Sequence, residues 1–389
     1  MVAEGPFGYG VELRGESRLQ LTNTSSVFSE NYGVVVSSGL NGALQTVDID
    51  GSVLAEVMGI NALTNANNLK IDISGSVVGG DYGVLVQGER SVITVQAGGS
   101  VVGGSNQFGT DGSLGSAAVS YLASLADHEL VNFGTIRGEE NPDNGNAARA
   151  IEDVILATGS PDKDSTVRVT NYGAVIGDSV LGGGTDSFVN FGFVDGTINL
   201  GEGDNLFISG PNGLLQGTLI FGGGQDRAEN GGSIQGSVFL GGGDDIYIGE
   251  AGFIAQGQGL FMGTGDDAAL GGIGQDLMLG EDGNDTLVGS GGDDFILGGN
   301  NEDRLFGDDG FDRLEGGEGL DELFGWLGDD VLVGGANEDR LFGQQGNDDI
   351  VGGDGNDEAR GGTGNDSIFG WVGNDSLFGD EGDDRIFGH

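Results

Sequence analysis

Between residues 262 and 387 an apolar side chain returns at every ninth position without a single insertion. The series runs Ala269, Met278, Leu287, Ile296, Leu305, Leu314, Leu323 and onward to Ile386. Self-similarity at a short fixed period marks a repeat architecture, in which a unit buries its apolar face only by stacking on its neighbours. Fourteen nine-residue units fill this segment, and in each of them six residues of Gly-rich turn alternate with three residues of strand. Two units then make one eighteen-residue coil. The strands stack as parallel ladders, and the eighth position of every unit points inward to form a thin apolar core.

Upstream the period lengthens. From Leu181 to Phe261 the turn Gly182-Gly183-Gly184-Thr185-Asp186 recurs as Gly201-Glu202-Gly203-Asp204-Asn205, Gly222-Gly223-Gly224-Gln225-Asp226 and Gly241-Gly242-Gly243-Asp244-Asp245, spaced by 19 to 21 residues. Each of these coils carries one acidic Gly turn and a second turn such as Asp195-Gly196 or Gln235-Gly236, with short alternations such as Thr197-Ile198-Asn199-Leu200 between. Further upstream Gly51-Ser52-Val53, Gly75-Ser76-Val77 and Gly99-Ser100-Val101 stand 24 residues apart, and Gly134-Thr135-Ile136 and Gly173-Ala174-Val175 follow at longer spacings. The extra length fits loops, notably Glu139 to Ala147 and Thr158 to Ser165. The one helical candidate is Ser116 to Glu129, expected as a short surface insertion. The predicted fold is all-β, a single elongated solenoid in which a parallel β-helix continues into a parallel β-roll. Its segments are a β-helix with long coils and loop insertions over 1–181, a β-helix with 19–21-residue coils over 182–261, and the roll over 262–389.

The polar positions of the nonapeptide are as regular as the apolar one. Position six is Asp in all fourteen units. Because units alternate sides, Asp267, Asp285, Asp303, Asp321, Asp339, Asp357 and Asp375 form one column, and Asp276, Asp294, Asp312, Asp330, Asp348, Asp366 and Asp384 form the other. Position one is Gly in thirteen units, with Met262 the exception. Position four is Gly in twelve, and Asn301 and Asn337 fill the other two; Asn is the next-best residue for a positive φ. Neighbours in a column lie about 4.8 Å apart, one strand spacing. Two carboxylates at that distance repel by roughly 1 kcal/mol in water and several times more when partly desolvated. Such a column cannot close without cations. Ca²⁺ fits best, since it accepts roughly six to eight oxygens in loose geometry, whereas Mg²⁺ demands a strict octahedron. All fourteen Asp are therefore expected to ligate multiple Ca²⁺ ions, together with backbone carbonyls of the glycine turns. The Asp residues of the longer-period turns stay open as ligands, because Asn205 interrupts their column.

Composition sharpens this reading. The 389 residues include 84 Gly, 62 Asp+Glu and only 14 Lys+Arg, for a net charge of -48. A chain this acidic needs a counter-charge that it does not encode. The same acidity excludes nucleic-acid binding, which needs Lys and Arg for phosphate neutralisation. Gly without a three-residue period, and only 4 Pro, exclude collagen. With no Cys there are no disulfides, zinc thiolates or thiol nucleophiles. No apolar run reaches the roughly 18 residues of a membrane span, so no membrane insertion is expected.

The unit resembles the hemolysin-type (RTX) calcium-binding nonapeptide, G-G-x-G-x-D-x-U-x. Gly361-Gly362-Thr363-Gly364-Asn365-Asp366-Ser367-Ile368-Phe369 matches it completely, and the resemblance covers about a third of the chain. It implies bacterial secretion, usually by a type I system, in an unfolded calcium-free form that folds on the calcium outside. Such proteins usually carry a secretion and capping segment after the repeats. Here the sequence stops at Gly388-His389, and it opens on Met1-Val2-Ala3-Glu4-Gly5 without the basic and apolar regions of a signal peptide. A truncated or processed chain is the expectation.

Catalytic constellations are hard to assemble. The only His-carboxylate cluster is Asp127-His128-Glu129, expected to be a solvated surface group, and no G-K-[ST] follows a Gly-rich stretch. The Lys and Arg that would neutralise a uronate are few and scattered. On one face of the repeats, position nine carries Phe306, Phe324, Phe342, then Arg360, then Phe378, while position seven reads Arg304, Glu322, Arg340, Glu358. The charges should form a salt ladder. The Phe column either stiffens the roll by stacking or offers a docking strip. The expected function is that of a non-catalytic, extracellular, calcium-binding structural or adhesive protein. The alternative is a calcium-binding folding or secretion module of a larger secreted enzyme acting on polysaccharide or protein. Strand-like sequence near both ends, Val11-Glu12-Leu13 and Arg385-Ile386-Phe387, predicts end-to-end self-association into filaments or a surface layer. A cell-surface or polysaccharide partner is the other expectation.

Overall fold

The computed structural model describes residues 9–14, 18–22, 25–29, 31–37, 45–63, 68–87, 90–103, 117–121, 127–138, 149–153, 166–249 and 251–388. The loop candidates at 139–147 and 158–165, the first eight residues and His389 lie outside them. All regular secondary structure among the described residues is β-strand, and the pairings are parallel. The chain divides into two compact units, Met1–Phe207 with Asn212–Ile220, and Ile208–Pro211 with Phe221–His389.

The first unit is a parallel β-helix of three-stranded coils. One coil runs Met58–Ala62, Leu69–Ile73, Ser76–Gly79, and the next Tyr82–Val86, Arg90–Val95, Ser100–Gly103. Alternation along each strand sends one set of side chains inward, and parallel register stacks like on like. One inward column reads Val47, Ile71, Ile93, Leu130, Val169, Phe188. The recurring Gly-Ser-Val phrase supplies another, Val53, Val77, Val101, Ile136, Val175, Val194. Every one of these side chains is at most 1% exposed, and each stabilises the fold by about 2 kcal/mol. The glycine of the phrase lets consecutive coils touch backbone to backbone. A Cβ on Gly173 would fall 2.1 Å from the carbonyl oxygen of Gly134.

The helix expected over 116–129 is replaced by strand at every described residue of that stretch, 117–121 and 127–129. Ala117–Tyr121 is a fully buried strand paired with Tyr82–Val86, and Asp127–Asn132 is a strand paired with Arg90–Val95. Ala and Leu favour helix only weakly. Here stacking on two preformed strands, with Val119 on Val84 and Leu130 on Ile93, outweighs that preference.

In the second unit the coils lose a strand. Arg227–Asn230, Ser233–Ile234 and Val238–Gly242 form a three-stranded coil, and the short third strand ends with Phe253–Ile254. From Leu277 onward two strands make each coil, and partners stand eighteen residues apart, as Leu287 with Leu305 and Leu305 with Leu323. The strands are longer than the three residues expected. Glu322–Leu327, for example, runs from position seven through position three of the next unit, because Phe324 and Trp326 continue the ladder to Phe342 and Gln344. Position eight is buried through Ile368, whereas Ile386 is 46% exposed.

Asn301 and Asn337 do take left-handed φ values, 82° and 79°. So does position two in every unit but that of Gly272, including at Trp326 (74°) and Trp371 (69°). A side chain in that region costs roughly 1 kcal/mol, which the ladder on either side holds in place.

Candidate metal centre

Three positions of the nonapeptide face inward: the apolar eighth, the glycine at one and the Asp at six. In each column the backbone N–H of one Asp donates to Oδ1 of the Asp one coil later. Asp285 donates to Asp303 at 2.9 Å, Asp303 to Asp321 at 2.9 Å, Asp294 to Asp312 at 2.8 Å and Asp312 to Asp330 at 2.9 Å. The chain of bonds runs from Asp267 to Asp375 on one side and from Asp276 to Asp384 on the other. Two columns of seven carboxylates, in the predicted sets, are thus brought together. The strand that follows each Asp fixes this register.

Oδ1 is satisfied; Oδ2 is not. Asp267, Asp285, Asp294, Asp303, Asp312, Asp321, Asp330, Asp339, Asp348, Asp357 and Asp366 are each at most 2% exposed, and their Oδ2 atoms accept no hydrogen bond. Three of the fourteen differ: Asp276 Oδ2 accepts the N–H of Gly272 at 2.8 Å, and Asp375 and Asp384, in the last coil, are only half-buried. The position-one glycine makes room for these oxygens. A Cβ on Gly316 would meet Asp321 Oδ2 at 2.3 Å and the carbonyl oxygen of Gly334 at 2.6 Å. Over Gly316, as over Gly280, Gly289, Gly298, Gly325, Gly334 and Gly352, a carboxylate oxygen and a backbone carbonyl from the next coil converge.

Burial raises these carboxyl groups, and their like-charged neighbours add to it, against the lowering effect of the backbone hydrogen bond. Asp303 and Asp339 are pushed up to about 8. Asp267, Asp294, Asp330 and Asp348 reach about 7, and Asp285, Asp312 and Asp321 about 6. Stacked buried oxygens with no donors need either protons or cations between them. The donor set is all hard oxygen, carboxylate plus carbonyl, which suits Ca²⁺ and not a soft metal. Among the described residues no cluster of three or more His, Cys, Asp and Glu surrounds a common point. Backbone carbonyls must therefore supply the rest of any coordination shell.

The first unit solves the same stacking problem with amides, and sequence reasoning missed it. Asn132 Nδ2 donates to Asn171 Oδ1 at 2.8 Å, and Asn171 Nδ2 donates to Asn190 Oδ1 at 2.9 Å. The Oδ1 atoms also accept the N–H of Gly134, Gly173 and Gly192. The signal was the phrase Asn132-Phe133-Gly134, Asn171-Tyr172-Gly173, Asn190-Phe191-Gly192. Its aromatic residues stack outside the ladder, at 4.9 Å for Phe133 on Tyr172 and 5.1 Å for Tyr172 on Phe191.

His128 is not the solvated group expected. Strand alternation splits Asp127-His128-Glu129, so the two carboxylates point out and the imidazole points in, 1% exposed. Its Nδ1 lies 2.9 Å from Ser91 Oγ and its ring stacks on Tyr121 at 4.4 Å. Burial pulls its pKa down to about 4, partly opposed by Asp127. On the outer face Phe306, Phe324 and Phe342 stack at 5.1 and 5.0 Å, and Arg360 lies over Phe378 at 4.3 Å. Glu322 pairs with both Arg304 (3.2 Å) and Arg340 (3.0 Å). The expected salt ladder stops there, because Glu358 pairs with Arg360 of its own strand instead.

No curated protein matches the chain. A family model, the RTX calcium-binding nonapeptide repeat, matches in four copies at residues 263–296, 297–332, 327–359 and 351–386. Those copies cover the doubled Asp columns and their glycines, so residues 263–386 are an array of RTX calcium-binding nonapeptide repeats.

Proposed function

We propose that this chain is a non-catalytic structural protein of the bacterial cell exterior whose repeat array folds on Ca²⁺, and that the fourteen position-six Asp residues are its calcium ligands. The carrying observation is the run of buried Asp Oδ2 atoms without hydrogen bonds, stacked coil upon coil. Calcium supplies the positive charge that lets these oxygens approach one another. The residues around it do the rest: Asp Oδ1 holds the preceding coil by accepting its backbone N–H, the position-one glycine clears the space, and position eight seals the apolar side. RTX repeats typically belong to secreted proteins, and export ahead of folding suits an array whose cations wait outside. Exposed aromatic side chains of the array, Phe311 (62%), Trp326 (44%) and Trp371 (55%), favour an adhesive or assembling role over a purely inert spacer. Self-association and a cell-surface or polysaccharide partner belong to this proposal.

The test is a calcium titration of the full chain followed by light scattering. The reading expects β-structure to be gained with Ca²⁺ and not with Mg²⁺, and particle size to grow once the array has folded. A chain that stays monomeric at millimolar calcium refutes the assembling role while leaving calcium binding intact.

A further inference from the structure

The turn Leu240–Asp245 lies ahead of the matched repeats and carries Leu, not Gly, at its first position. Of the three other turns on this frame ahead of the array, Leu181–Asp186, Leu200–Asn205 and Phe221–Asp226, the second ends on Asn and is the one to compare. Leu200 and Leu240 are both fully buried. Gly201 and Gly203 have φ values of 79° and 102°, and Gly241 and Gly243 have 99° and 127°. Asn205 and Asp245 are 2% and 1% exposed. The two turns differ in what closes them. Asn205 Nδ2 donates to the carbonyl oxygens of Gly201 at 3.1 Å and Gly203 at 2.8 Å. In that turn a side-chain amide gathers two backbone carbonyls. Asp245 has no proton to give. Its Oδ1 accepts the N–H of Asp226 at 2.7 Å, and its buried Oδ2 accepts no hydrogen bond.

We propose that the turn Gly241–Asp245 is a further calcium site, outside the nonapeptide array, in which a cation joins Asp245 Oδ2 to the carbonyls of Gly241 and Gly243. Asn205 is the cation-free version of this turn, its amide doing the ion's work. The charge is available: the Asp245 N–H donates to Asp267 Oδ1 at 2.7 Å, so Asp226, Asp245 and Asp267 follow one another in a column. A divalent ion also suits the site better than a proton, because one ion neutralises more than one carboxylate of the column. The inference rests on the calcium reading of the array and extends it to a coil that the repeat motif does not reach.

Amide hydrogen exchange on the full chain, in chelator and with Ca²⁺, separates the two claims. The expected result is that calcium slows exchange at 241–248 and leaves 201–206 unchanged. In Asp245→Asn the stretch 241–248 should be protected already in chelator, while the array still responds to calcium. Asn205→Asp should make 201–206 calcium-dependent and add one bound equivalent by equilibrium dialysis, and Asp245→Asn should remove one. An array that responds to calcium while Asp245→Asn binds as many ions as the wild type overturns the inference alone. An array indifferent to calcium overturns the reading beneath it.

Discussion

A single substitution, carboxylate for amide, separates the two ways this chain stacks its coils. An Asn in a ladder both donates and accepts, so Asn171 closes on Asn132 and Asn190 by itself. An Asp accepts only, and its second oxygen is left for a cation or a proton. Two predictions follow at this scale. The first concerns pH. The Asp carboxyls titrate near 3.8 ordinarily and at about 6 to 8 at several positions in the folded roll. The folded state therefore binds protons more tightly, and calcium-free stability must fall as pH rises from about 4 to about 8. Circular dichroism in chelator should show β signal appearing on acidification; a signal that is lost instead would invert this account. The second concerns position one. Gly316→Ala puts a methyl group against Asp321 Oδ2 and the Gly334 carbonyl, at a cost of about 2 kcal/mol. It should raise the calcium concentration needed for folding several-fold, read from the titration midpoint.

At the scale of elements, much of the architecture could be read before the structure. Nine-residue spacing left one inward apolar position per unit, so the eighteen-residue register of Leu287, Leu305 and Leu323 followed from counting. The Asp columns followed from the same count. What escaped has physical reasons. The Asn ladder sits at irregular intervals, 39 and 19 residues, because its coils differ in length. His128 looked exposed because its neighbours are acidic, but strand alternation, not neighbourhood, decides which way a side chain points. Ala117 to Tyr121 looked helical because local propensity is weak against stacking on two flanking strands. Phe324→Ala removes both ring contacts at the centre of the outer stack and should cost about 2 kcal/mol in the calcium-loaded state. Thermal unfolding with saturating Ca²⁺ reads this directly. A midpoint unchanged from wild type would assign the ring column to partner contact, not stiffening.

For the molecule as a whole, the account divides stability between two chemistries. The first unit buries columns of Val, Ile and Leu beside the amide ladder of Asn132, Asn171 and Asn190. In the second unit a narrow apolar column shares the interior with two rows of carboxylates, in a chain whose net charge is -48. Limited proteolysis in chelator at pH 8 should therefore cut within 262–387 first and spare the first unit; simultaneous loss of both would show that calcium holds the entire fold. The most direct measurement is far-UV circular dichroism of the full chain at pH 8, taken from chelator through a Ca²⁺ titration with Mg²⁺ as the control. Most of the β signal of the array should be absent in chelator, return cooperatively with Ca²⁺ and not return with Mg²⁺. A spectrum that is the same in chelator and in calcium would contradict the claim that cations close the carboxylate columns.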